Sequence, residues 1–177
     1  MTNRTKTPLL ATLSADQAHS VLMRLVYDDP ALAARAEEVA RDLLEYVDST
    51  AIADILCCEL STLKIEDVWD TSGRTRDGYI DPSDRAWEML DEVLEPYREE
   101  MLEYLRRGMP DESRIYALGI LLGIRKFQNN SGSALLEEVP DYGDDTLELV
   151  REEWEEAVGD DEQVRLFADE LREEGLT

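Results

Sequence analysis

Two places in the sequence carry residue types that could do chemistry. The first is residues 70–81, DTSGRTRDGYID, where Arg74 and Arg76 stand in an otherwise acidic chain. Two guanidinium forks at this spacing could hold a carboxylate or phosphate, with Thr71, Ser72 and loop amides as further donors. The favoured alternative is plainer: each arginine pairs with Asp67, Asp70, Asp77 or an acid of the following helix. An intermediate reading has the pair binding an acidic peptide or the chain's own acidic tail. Trp69 and Tyr79 flank the segment and are expected to pack it onto the core. Gly73 and Gly78 are expected at positive φ. A calcium loop does not fit. With Gly78 at the sixth loop position, Gly73 and Thr75 occupy positions that need acids, and two arginines intrude.

The second place is Glu59. Ile52, Ile55, Leu56, Leu60 and Leu63 span one face of a helix at 100° per residue, and Glu59 falls near the middle of that face. A buried carboxylate must find a partner or take up a proton. It could then serve as a catalytic or ligand-binding acid. The favoured reading is a buried pair with an arginine or a tyrosine hydroxyl. Ala51, Ala53, Cys57 and Cys58 make this helix apolar nearly all round, which predicts a central position. The candidate ligand-binding set is therefore Glu59, Arg74, Arg76 and Tyr79.

No catalytic residue, metal site or cofactor is expected. His19 is the only histidine, so no triad or histidine-based metal site can be assembled without remote carboxylates. There is no phosphate-binding P-loop and no GxGxxG. Cys57 and Cys58 are adjacent, without a CxxC spacing, and read as small apolar residues of a reducing cytoplasm. The start, MTNRTKTPLLATLS, has no apolar core of a signal peptide. The longest apolar run, IYALGILLGI, is about half a membrane span and reads as a core helix. Trp87, Tyr97, Tyr104 and Tyr116 sit at helical spacing and read as core rather than cofactor box.

The 177 residues carry 42 acids against 18 bases, a formal charge of −24. Binding to nucleic-acid phosphates or to an anionic membrane needs clustered cations and is disfavoured. The bases are 15 Arg and 3 Lys. That skew fits either a GC-rich genome or an acidic surface adapted to high salt. At 43% hydrophobic residues the chain can fill a core.

The elements that must position these residues read as helices throughout, with no strand-like alternation. Ser14 caps a helix with apolar Ala18, Val21, Leu22, Leu25 and Val26. Asp29–Pro30 starts a second helix, striped by Leu32, Ala36, Val39, Ala40, Leu43 and Val47. Asp48 or Ser49 starts a third, over about 50–63. A short turn of helix over IEDVWD precedes the loop. A long helix follows Asp81–Pro82 and continues across Pro96, where a kink is expected. Another runs over about 111–128, and its Gly119 and Gly123 mark either a dimer face or close packing within the fold. A short helix near 133–138 and two amphipathic helices, about 144–158 and 161–174, complete the chain. From Glu137 onward there are 17 acids and 3 bases. Leu147, Val150, Trp154, Val158, Val164, Phe167 and Leu171 nevertheless stripe this tail, which predicts a docked hairpin rather than a free tail.

The segment IEDVWDTSGRTRDGYIDPSDRAWEMLDEVLEPYREEMLEYLRRGM, with the following YALGILLGIRKF, resembles parts of uncharacterised all-α prokaryotic proteins, some of which accompany a SWIM zinc finger. The likeness spans roughly residues 50–128. It implies a helical-repeat fold and carries no known activity or site. The Cys and His spacing of the finger is absent.

The sequence thus predicts an all-α protein of six or seven antiparallel helices, HEAT-like or bundle-like. Residues 1–13 are expected as a flexible tail, 14–130 as the helical core domain and 131–177 as a docked acidic hairpin. The expected role is a non-enzymatic module in the cytoplasm that contacts another protein, with a homodimer left open. The alternatives are a small-ligand or anion-binding protein or enzyme using Glu59 and the 70–81 loop, and an acidic mimic of nucleic acid.

Overall fold

The computed structural model of the chain describes residues 9–75, 78–130 and 133–176. The fold is all-α: 81% of it is helical, in nine α-helices among the described residues. The count exceeds six or seven because of two short helices, Ile65–Thr71 and Leu135–Glu138. The chain divides into two compact units, Met1–Tyr46 and Val47–Thr177. Residues beyond 130 bury apolar positions within the second unit.

The first unit holds a 3-10 turn over Leu9–Thr12 and two helices, α1 (Ala15–Tyr27) and α2 (Pro30–Leu44). Its punctuation is that of the sequence. Ser14 and Gln17 form a reciprocal capping box on α1. The Asp29 carboxylate accepts from the amides of Ala31 and Leu32, at 2.9 and 3.2 Å. Pro30 stands in the first turn of α2, where its missing N–H costs nothing. Neither helix contains a buried residue.

The second unit runs through α3 (Ser49–Thr62), α4 (Ile65–Thr71), β1 (Gly73–Thr75), β2 (Gly78–Ile80), α5 (Pro82–Arg106), α6 (Pro110–Asn129), α7 (Leu135–Glu138), α8 (Tyr142–Val158) and α9 (Asp161–Glu173). Helix α6 is its axis and packs against α3, α5, α8 and α9. Its inward residues Ala117, Ile120, Leu121, Ile124 and Phe127 are fully or almost fully buried. The approach of α3 is set by glycine. A Cβ on Gly119 would stand 2.8 Å from Ile52 Cβ, and one on Gly123 3.0 Å from Leu56 Cδ2. This GxxxG therefore serves packing within the fold.

Helix α5 continues through Pro96. Helices α8 and α9 turn their apolar stripe inward: Val150, Trp154, Phe167 and Leu171 are buried, with the Trp154 and Phe167 rings 4.5 Å apart. Arg114 joins α6 to α9. It is buried, and donates to Gln163 Oε1 at 3.0 Å and to Asp111 Oδ1 at 3.1 Å, with a further bond to Glu170. Burial works against its charge, but Glu170 and Asp111 more than restore it.

The segment after α4 differs from expectation. β1 and β2 pair antiparallel, with Arg74 opposite Tyr79 and Gly73 opposite Ile80. Strands of three residues are too short for their alternation to show in the sequence. Gly73 and Gly78 have φ of 86° and 146°, as the sequence requires of them.

Candidate protein-docking surface

Among the described residues the chemical set predicted from the sequence is brought together only in part, with Arg74 and Tyr79 opposite each other on β1 and β2. Glu59 lies on the exposed side of α3, not within the core. Its carboxylate accepts a hydrogen bond from the Tyr97 hydroxyl at 2.8 Å. The expected tyrosine partner is present, and the expected burial is not. The close approach allowed by Gly119 and Gly123 turns Ala53, Leu56 and Leu60 inward, which rotates the buried face away from Ile55 and Glu59. Ile55 is 54% exposed, and α3 is not a helix buried on all sides. Tyr97 carries the electrostatic consequence: burial raises its pKa well above the usual phenol value, and the Glu59 carboxylate raises it further.

The loop residues also differ from their expected roles. Arg74 is exposed and, among the described residues, has no carboxylate within ion-pair distance. Trp69 and Tyr79 do not pack the segment onto the core, being 57% and 71% exposed. Arg76 lies outside the described residues. The arginine that anchors this region is Arg85 of α5. Its Nε donates to Thr71 Oγ1 at 3.1 Å, and its Nη1 reaches Glu88 and Glu92. Among the described residues no hydrogen bond or ion pair joins Glu59 to Arg74 or Tyr79. Cys57 is half-buried and Cys58 exposed, both as free thiols. Among the described residues no group of three or more His, Cys, Asp or Glu is placed to hold a metal ion, and no helix is long and apolar enough to cross a membrane.

The surface that stands out is in the first unit. The stripes predicted on its two helices face a common groove of about 350 Å³. Helix α1 contributes Leu22, Leu25 and Val26. Helix α2 contributes Leu32, Ala36, Val39, Ala40 and Leu43, with Arg35 at the margin. The margin is already neutralised, since Arg35 is paired with Glu38 one turn on. Nothing in the groove is buried. Leu25 is 54% exposed and Leu43 76%. The sequence marked every one of these apolar positions as a stripe but placed them in a core domain. Periodicity shows that a helix has an apolar face; it does not show what covers that face.

The groove owes its form to local rules. The two-residue link Asp28–Asp29, fixed by the Asp29 cap and Pro30, reverses the chain between the helices. Ala36 and Ala40, one turn apart, keep the floor low between the larger Leu and Val side chains. Exposed leucines scattered singly are ordinary, whereas these form one contiguous apolar face. No known protein-family model, curated protein or solved structure matches the chain.

Proposed function

We propose that this chain is a non-enzymatic protein–protein interaction module of the cytoplasm, and that the α1–α2 groove is its docking surface. One observation carries the reading: two helices of 13 and 15 residues present matched apolar stripes and bury none of them. Helices this short draw most of their stability from packing of the amphipathic face. An uncovered face of this size therefore calls for a helical protein surface laid against it. The near absence of polar groups from the groove fits such a partner better than a small polar ligand, which needs convergent donors and acceptors. The helical-repeat architecture expected from the sequence would suit a scaffold of this kind.

A photo-crosslinking amino acid placed at Leu25, inside the groove, tests the reading in the expressing cell. The same residue placed at Glu37, on the solvent side of α2, is the control. A discrete protein adduct from position 25 and none from position 37 is expected. Equal or absent adducts at the two positions overturn the proposal.

A further inference from the structure

We infer that the occupant of the α1–α2 groove is the same groove of a second copy of this chain, the two hairpins closing face to face as a four-helix layer. This rests on the reading of the groove as a protein-docking surface. Two observations select the partner.

The first is the distribution of charge. Of the formal −24, residues 1–46 contribute only −2, from 7 acids and 5 bases. Residues 47–177 contribute −22, from 35 acids and 13 bases. A foreign partner recruited by charge would be basic, and would be drawn to the second unit rather than to this one. The groove sits in the nearly neutral one of the two units. Two copies can meet there with little local repulsion, while association through the second unit would bring together two bodies of net −22.

The second is geometry. One layer of two antiparallel helices buries its stripe fully only against another such layer, which yields the up-down four-helix arrangement. A two-fold axis through the groove supplies that layer from an identical surface, so each leucine of α1 and α2 meets an apolar counterpart. The margin suits it, since Arg35 already has Glu38 beside it and adds no unpaired charge to the contact.

The −22 carried by the second unit of each copy still repels, and salt screens it. The dimer therefore tightens as salt is added, the opposite of an interface held by ion pairs.

The test is light scattering on the purified full chain across a concentration series, in dilute buffer and in molar KCl. A concentration-dependent monomer–dimer equilibrium that tightens with KCl is expected. Leu25→Glu should weaken it by on the order of 100-fold or more, because a carboxylate would be forced into an apolar contact. Leu43→Glu, at the most exposed lining position, is a second variant and should act in the same direction. A monomer under all conditions, or a dimer that both variants leave unchanged, overturns the inference. Crosslinking of the purified chain from position 25 gives a readout that depends on no destabilised variant, and an adduct of two chains is expected. A foreign protein crosslinked in cells, with a purified chain that stays monomeric, overturns self-association and leaves the docking surface standing. No protein adduct in cells and none in the purified chain removes both.

Discussion

The indole N–H of Trp154 donates to Ser113 Oγ at 3.0 Å, and Ser113 Oγ in turn donates to the carbonyl of Met101 at 2.7 Å. This two-step relay is buried and crosses three helices: α8, α6 and α5. Each polar group has its partner, so the largest buried side chain can sit at the centre of the second unit without an orphaned donor. Ser113→Ala keeps the volume nearly constant and leaves the Trp154 N–H without an acceptor. A loss of about 1–3 kcal/mol is expected from the unsatisfied donor. Urea unfolding of the two proteins measures it. A difference below a few tenths of a kcal/mol would show that the relay does not matter.

Gly119 gives a second, steric test. An added Cβ would stand 2.8 Å from Ile52 Cβ and 3.0 Å from the Ser49 carbonyl oxygen. Neither atom is the free end of a flexible chain, so relief requires α3 to move as a body. In an exposed helix Gly→Ala would stabilise. Here Gly119→Ala should destabilise by about 1–3 kcal/mol, as overpacked cores do. A raised melting temperature in the variant would contradict the packing described.

Much of this fold is legible one residue at a time. Ser14, Asp29, Asp48 and Asp81 cap the helices expected of them, because a cap is a local bond between a side chain and amides two or three positions away. The α1–α2 groove is legible only in half. Leu22, Leu25, Val39 and Leu43 read as stripes, but whether a stripe is core or interface depends on residues distant in sequence. Glu59 shows the same limit on one helix. The average of Ile52, Ile55, Leu56, Leu60 and Leu63 places it inward, and two glycines some sixty residues away decide otherwise. Arg85, which anchors Thr71, gives no sign of that role in the sequence, where Arg74 and Arg76 lie closer to Thr71. Arg114 gives no sign of burial in sequence, since a buried arginine is distinguished only by the Gln163, Asp111 and Glu170 side chains that meet it in space.

Asp91 sets a pH dependence. It lies half-buried on α5, where burial raises its pKa above the usual 3.8, with Arg98 and the Tyr142 hydroxyl pulling it partly back. Between the ordinary carboxylate value and this raised folded value, the native state holds more protons than the unfolded chain. Stability contributed by Asp91 is therefore present at acid pH and is lost as pH rises through that window. Asp91→Asn removes the charge and retains an acceptor for Tyr142. The variant should gain on the wild type at pH 7, and the gain should shrink below pH 3.8. Denaturant titrations of both proteins at the two pH values measure this. The same difference at both would show that Asp91 ionises as freely in the fold as in the unfolded chain.

Salt should act on the whole molecule. The Arg98 guanidinium meets Glu153 through two bonds of 2.7 and 2.9 Å, joining α5 to α8, and is only partly open to solvent. Such a pair loses little to screening, whereas the exposed pairs Arg106–Glu103 and Arg172–Asp169 lose more but contribute little to begin with. The larger electrostatic effect is repulsion among the 42 acids, of which only some face a cation. Screening should relieve that repulsion by more than it weakens the pairs. The melting temperature is expected to rise steadily from dilute buffer to molar KCl, and to do so equally in KCl and NaCl. Arg98→Met should lower it at every salt concentration by a similar amount, because the bond removed is sheltered. A wild-type midpoint that falls with salt would mean that ion pairing, not repulsion, dominates this acidic surface.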